Sequence, residues 1–277
     1  MEGGLHRLQR QIAEGADRSV MQDLEIYRVG RYETLEARGV VIVIDVIRAF
    51  SVAAYALAGG AQALWLVRTV EEAFALRERN PEVLLSGTPP RQDKKEQKIL
   101  LAGEVGGRLI PGFDLNNSPA LMLASDVRGR ILVQRTGAGT QGALAVANAA
   151  HILLSSLVNA RATANYARVL AESTGDIVTL HPTQGGLDNG EPGEDQVCAN
   201  YLEALLRGQE DARDILASEI ARLRVAGRFE TWQQGEPDFP AEDIPLVLDV
   251  DRFDFAMLGT RKQWGEITYV EAGKVEV

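Results

Sequence analysis

"VVIVIDVIRAF", Val40 to Phe50, sets five aliphatic residues in a row, ends them on an aspartate and places an arginine three residues later. A continuous aliphatic run reads as a strand buried on both faces, the mark of a parallel sheet covered by helices. In open α/β sheets, ligands bind just beyond the carboxyl ends of such strands. Asp45 and Arg48 therefore stand where an α/β protein usually keeps its chemistry.

Outward from this stretch, a short loop leads into an alanine-rich helix, "AFSVAAYALAGGA", closed by Gly59 and Gly60. A second strand, "ALWLV", follows, and Thr69 with Glu72 three residues on predicts a capping box at the start of the helix "VEEAFALRER". The order returns in "RGRILVQRTGAGTQGALAVANAAHILLSSLVNARATANYA": strand, glycine-rich loop, helix, strand, cap, helix. Gly39 then corresponds to Gly129, Asp45 to Arg135 and Thr69 to Asn159, each 90 positions on. The pattern predicts an α/β fold of two similar α/β halves, a tandem duplication, layered α/β/α with mostly parallel or mixed sheets. Residues 1–38 read as an N-terminal extension, 39–125 as the first half with its long Gly/Pro loop, and 126–277 as the second half and tail. Facing halves would bring Asp45 and Arg135 from equivalent strand ends toward one cleft.

The 277 residues carry 39 acids against 29 bases, a net charge of −10. That balance argues against a nucleic-acid binder that depends on phosphate contacts, and an anionic ligand would need local positive charge or a metal. The one cysteine, Cys198, cannot form an internal disulfide, and the stretch "MEGGLHRLQRQIAEGADRSV" lacks the apolar run of a signal peptide. No stretch approaches the roughly eighteen apolar residues of a membrane span. The expectation is a cytoplasmic protein with neither membrane nor nucleic-acid partner, and a homo-oligomer stays open.

Between the two repeats lies "SGTPPRQDKKEQKILLAGEVGGRLIPGFDLNNSPA". Its "DKKEQK" run reads as a solvated loop, and "AGEVGGRLIPGFDLNNSP" as a shaped one. After the second repeat come a strand "DIVTL", a glycine-rich loop "HPTQGGLDNGEPGED" and a helix "QVCANYLEALLRG". Asp45, Glu104, Asp114, Asp188, Glu194 and Asp195 all lie in glycine-flanked loops. Each alone can be a helix cap, and Asp195 reads well as one. Converging on a cleft, however, they would repel unless a divalent cation sat among them, and Mg²⁺ takes hard oxygen ligands together with a phosphate. Arg48 and Arg135 both follow buried strands and offer a donor fork to phosphate or carboxylate, or pair with neighbouring acids. The loop "RTGAGTQG" offers backbone N–H groups to an anion, with Thr136 and Thr140 supplying hydroxyls, although it lacks the lysine of a Walker sequence. Cys198 has Tyr201, Leu202 and Leu205 at helical spacing and reads as a packing residue. His6 and His151 read as peripheral or buried, and His181, which ends "DIVTL", can point at the cleft.

Together these segments resemble the 2-phosphosulfolactate phosphatase family, magnesium-dependent phosphatases of coenzyme M biosynthesis, from about Val40 to the end. The matching pieces are "VVIVIDVIRAF", "LLAGEVGGRLIPGFDLNNSP", "GAGTQGAL", "LLSSLVNARATA", "GEDQVCANYL" and "DVDRFDFAM". The resemblance implies an α/β fold of two similar halves and hydrolysis of a phosphate monoester on a 2-hydroxy acid, so that the expected partner is a small anionic phosphate ester. It carries onto Asp45, Arg48, Glu104, Asp114, Asn117, Ser118, Thr140, Glu194 and Asp195. On that footing Asp45, Glu104 and Glu194 would hold Mg²⁺. Arg48, with the N–H groups near Gly139 and Thr140, would clamp the phosphate, and Asp114, Asn117, Ser118 and Arg135 would complete the substrate contacts. Asp195 would orient or deprotonate the attacking water. The chain departs from the family pattern in two places. Phe50 stands ahead of Ser51 where Thr or Ser pairs are usual, and "QRTGAGT" replaces a threonine-rich "TTTNGT" loop, which would alter the acid recognised.

Two other readings fit some of the same residues. An isochorismatase- or nicotinamidase-like hydrolase would use Asp45 and a Cys198 nucleophile, although Ile47 stands where its glutamine should be. A non-catalytic relative would keep the anion site and have lost turnover.

Overall fold

A computed structural model of the chain describes residues 24–79, 98–184, 192–233 and 236–277. Most of the extension, the "DKKEQK" run and Asp188 lie outside these residues. In chain order the elements are β1 (Ile26–Arg28), β2 (Gly39–Ile44), α1 (Ala49–Ala58), β3 (Ala63–Leu66), α2 (Val70–Arg79), β4 (Ile99–Val105), β5 (Arg108–Leu109), α3 (Pro119–Leu123), β6 (Ile131–Arg135), α4 (Gly139–Ala145), β7 (Ala149–Ser155), α5 (Ala160–Thr174), β8 (Val178–Pro182), α6 (Glu194–Leu206), α7 (Ala212–Val225), α8 (Asp243–Val247), β9 (Phe255–Trp264) and β10 (Ile267–Glu276).

The strands form one mixed sheet in the order β1-β8-β2-β7-β9-β10-β3-β6-β4-β5. β2 pairs in parallel with both β7 and β8, and β6 pairs in parallel with both β3 and β4. The first strand of each repeat is thus inserted between the second and third strands of the other. The antiparallel β9–β10 hairpin joins the two parallel groups, through β7 on one side and β3 on the other. The described end of the extension joins the sheet edge as β1 against β8, an element too short to show a period in the sequence.

All six residues of β2 are buried, as its unbroken aliphatic sequence requires. Truncating a buried isoleucine such as Ile42 or Ile44 to alanine costs about 2–5 kcal/mol, so this strand anchors the loop that follows it. One face of the sheet between β2 and β6 packs on α1. That helix is buried from Ala49 to Leu57, which fits a segment apolar on every side. Val41 and Val43 of β2, Leu64 and Leu66 of β3, Leu132 of β6 and Met257 of β9 share one core cluster with it. The outer face is covered by α5, α6 and α7 over β2 and β8, and by α2 over β3, β4 and β6. The predicted α/β/α layering is therefore present.

The capping box read from Thr69 and Glu72 forms: Glu72 N–H donates to Thr69 Oγ1 (3.1 Å) and Thr69 N–H to Glu72 Oε2 (3.0 Å). Among the described residues no helix is long and apolar enough to cross a membrane.

Candidate active site

The loops after β2, β4, β6 and β8 meet over one end of α1. They enclose a cavity of about 150 Å³ lined by Asp45, Arg48, Glu104, Asn117, Thr136 and Ala138, with Ile47, Gly107, Gln184, Trp232 and Phe239 completing the wall. The approach is close. A Cβ on Gly139 would stand 2.7 Å from Asp45 Oδ2, and one on Gly137 would stand 3.3 Å from Glu104 Oε1, so both carboxylates abut the same short loop. Gly103 has a related duty: with φ +153° it lets β4 pass so near β6 that a Cβ would lie 1.9 Å from the Arg135 carbonyl oxygen.

Asp45 serves two ends. Its Oδ1 accepts from Ala49 N–H (2.9 Å) and sets the start of α1, while Oδ2 faces Thr183 Oγ1 (3.5 Å). Desolvation raises its pKa to about 7, partly countered by the Ala49 N–H and reinforced by the charges of Glu194 and Glu104. Glu104 is held by Gly107 N–H (2.7 Å) on one oxygen and Gly137 N–H (2.5 Å) on the other. Arg48 is 4% exposed, and its preceding peptide bond is cis. Its guanidinium donates to Asp243 Oδ2 (2.9 Å), the Asp238 carbonyl (2.7 Å) and the Gly107 carbonyl (3.1 Å), beneath the ring of Phe239 (4.9 Å). Of the five donors of a guanidinium, the described residues thus accept three.

The remaining sequence-derived candidates have other partners. Asp195 is 1% exposed and does not line the cavity. It accepts from Val46 N–H (2.8 Å), Gln184 N–H (3.0 Å) and Thr183 Oγ1 (3.1 Å), which pins the loop after β2 to the loop after β8. Burial and the neighbouring Asp45 and Glu194 charges push its pKa well up. Glu194 gives both oxygens to Arg228 (2.6 and 2.5 Å), an ion pair behind the cavity wall. Arg228→Met would leave this carboxylate buried without a cation and cost about 3 kcal/mol, read as a lower unfolding temperature, most of it recovered by adding Glu194→Gln. Asp114 accepts from Leu101 N–H (3.0 Å) and pairs with Arg77 (3.2 Å), fastening its own loop to α2. Ser118 caps α3 through Leu121 N–H (3.2 Å) and donates to Asp243 (2.6 Å), so it supports Arg48 at one remove. Arg135 donates to the Glu104 carbonyl (2.8 Å), and Thr140 is tied to Thr136. Asn117 lines the cavity with its Oδ1 facing Gln134 Nε2 (3.4 Å). Phe50 lies in the core around α1, so that departure from the family pattern is a matter of packing.

Sequence reasoning missed Thr183, Gln184, Trp232, Phe239 and Asp243. Thr183 and Gln184 follow directly on "DIVTLHP", a strand-end position like that of Asp45, and this signal could have found them. Cys198 is fully buried, and desolvation with the Asp195 and Asp251 charges drives its thiol pKa well up, which removes the cysteine-nucleophile reading.

A sequence profile described as 2-phosphosulpholactate phosphatase matches residues 28–228. The chain belongs to the 2-phosphosulfolactate phosphatase family. It is 35% identical over 253 residues, 90% of this chain and 97% of the other, to a Bacillus subtilis (strain 168) protein named "Probable 2-phosphosulfolactate phosphatase". A Deinococcus radiodurans protein of the same name is 41% identical over 198 residues, 71% of this chain and 72% of the other. Membership places the chain in a family of phosphoric monoester hydrolases, and the matched span contains Asp45, Arg48, Glu104, Asn117 and Thr136.

Proposed function

We propose that the protein is a Mg²⁺-dependent phosphatase that hydrolyses a phosphate monoester of a small 2-hydroxy acid, with 2-phosphosulfolactate as the family's candidate. The observation that carries the reading is the convergence of Asp45, Glu104, Arg48 and Asn117 on one small cavity at the ends of β2 and β4.

The donor set suits Mg²⁺ in its usual mode of one or two carboxylates, waters and a substrate phosphate. Among the described residues no group of three or more His, Cys, Asp or Glu side chains could cage a metal alone. Asp45 and Glu104 are the two carboxylates on the cavity wall, and burial, with the charges of Glu194 and Glu104, holds the Asp45 pKa up. Glu194 is committed to Arg228 and is not needed as a third ligand. When bound, the ion would draw charge from the phosphoryl oxygens.

The chain's own residues then bind and orient. Arg48, held in place by Asp243 and Asp238, presents the rest of its fork to the phosphoryl oxygens, and Thr136 and Ala138 line the same volume. Asn117 turns its oxygen to Gln134, and among the described residues nothing accepts from its NH₂ group. Trp232 and Phe239 roof the site and limit water to the attacking molecule. Asp195 acts as a positioning residue that holds Thr183 against Asp45. The ester oxygen leaves with a proton as the hydroxy acid, and water supplies the fourth oxygen of the released phosphate.

Purified protein should release inorganic phosphate from phospholactate-type esters with Mg²⁺ and stop with EDTA. Release unaffected by EDTA would remove the metal. Binding without release would identify a non-catalytic anion-binding relative.

A further inference from the structure

A second cavity, of about 300 Å³, borders the first, and among the described residues Trp232 alone lines both. The two differ in character. The first carries Asp45, Glu104 and Arg48, whereas the second is walled by Phe229, Ala241, Ile244 and Pro245, with the exposed Arg224 and Glu230 at its rim. None of the groups assigned to the phosphoryl end lines the second cavity. An alkyl chain that reached it would leave water for an apolar wall.

Trp232 is packed as a partition. Its ring meets Phe239 edge-on (5.6 Å) and lies 5.9 Å from the Arg48 guanidinium, both on the wall of the first cavity. It also belongs to one core cluster with Phe229 and Ile244 of the second. The residue is 5% exposed. Its buried indole N–H has no acceptor among the described residues, although a buried tryptophan usually finds one. The ring is therefore held by packing, and shortening it strands no hydrogen-bond partner. What the side chain contributes here is bulk.

We propose that Trp232 is a specificity-determining residue: its indole closes the phosphoryl cavity at about 150 Å³, restricts the enzyme to esters of short hydroxy acids and shuts longer apolar chains out of the second cavity. This deepens the phosphatase reading and rests on it.

The test measures kcat/KM of the full chain with Mg²⁺ for two esters, 2-phospholactate and the phosphate ester of 2-hydroxyhexanoate, which adds three methylenes. In the wild type the longer ester should be at least a hundredfold poorer, because a closed wall rejects added bulk. Trp232→Ala should move the ratio about fiftyfold toward the longer ester, about fourfold for each methylene that gains a buried place. Adding Ala241→Leu, which narrows the second cavity from its exposed side, should take away most of that gain and leave phospholactate at the Trp232→Ala level. Trp232→Leu should shift the ratio less and in the same direction, and it serves in place of the alanine variant if thermal melts show that variant unfolded. A loss of structure alone would lower both esters alike and leave the ratio where it was. The proposal is overturned by an unchanged ratio in the folded variants, by a wild type that takes both esters equally well, or by a gain that survives Ala241→Leu. If the wild type turns over neither ester, the phosphatase reading fails, and the same ratio is read from binding of the two esters by calorimetry, with no binding of either overturning both readings.

Discussion

Asp45→Asn should lower phosphate release about a thousandfold or more while the metal-free protein becomes more stable above neutral pH. The two effects have one cause. Asp45 brings negative charge into a buried site, where in the proposed mechanism it would serve the metal and the transition state and where it opposes folding in their absence. Its carboxyl titrates near 7 in the folded chain against 3.8 ordinarily, so the folded state holds the extra proton between those values. Stability from this group is present in full below about pH 4 and is lost as pH rises through about 7. By pH 8 the loss is on the order of 4 kcal/mol, several degrees of unfolding temperature for a chain of this size. Asparagine keeps the acceptor for Ala49 N–H and carries no charge. Thermal melts of metal-free protein at pH 5 and pH 8 should therefore separate wild type from variant mainly at pH 8, and Mg²⁺ should close that gap by raising the wild type alone. Equal melts at both pH values, or turnover close to wild type, would take Asp45 out of the proposed role.

Arg48→Met should reduce release at least a hundredfold and also cost about 3–5 kcal/mol, because it strands Asp243, a fully buried carboxylate left, among the described residues, with Ser118 Oγ and Ala120 N–H as donors. The double variant Arg48→Met with Asp243→Asn separates the two losses. It should recover most of the unfolding temperature and none of the turnover. Recovery of both would make Arg48 a structural cation only. Arg48→Lys keeps the charge without the fork, so it should fall between wild type and Arg48→Met in turnover.

The elements legible in the sequence were those whose pattern is local. β2 showed itself by an unbroken aliphatic run, α2 by the Thr69–Glu72 box, and the strand-loop-helix of residues 131–145 by its likeness to residues 40–58. The sequence shows a last strand around "EITYV", which is β10, but β9 was invisible as a strand because "FAMLGTRKQW" owes its place to pairing with β7, distant in sequence, and with β10. The site divided on the same line. Asp45, Arg48, Glu104 and Asn117, which the fold brings to one cavity, stand at strand ends and in a shaped loop that the sequence already marks. Trp232, Phe239 and Asp243 come from a stretch after α7 whose only sequence signal is aromatic residues among Gly and Pro, and only the fold brings that stretch over Arg48. Asp195 and Glu194 were read as chemistry, whereas their carboxylates tie loops together. A loop carboxylate looks the same in sequence whether water, a cation or an arginine will meet it.

The central place of the β9–β10 hairpin has a consequence for biosynthesis. Of the described strands, the two that leave the ribosome last are those that join the two parallel groups, and β2, among the first, must wait for partners more than a hundred residues later. Such pairings carry a high loop-closure entropy and form late. A nascent chain halted before Phe255 would present the free margins of β3 and β7 to its neighbours, a surface that invites chaperones and aggregation alike. A C-terminal truncation that looks like trimming a tail would in this topology remove the middle of the sheet.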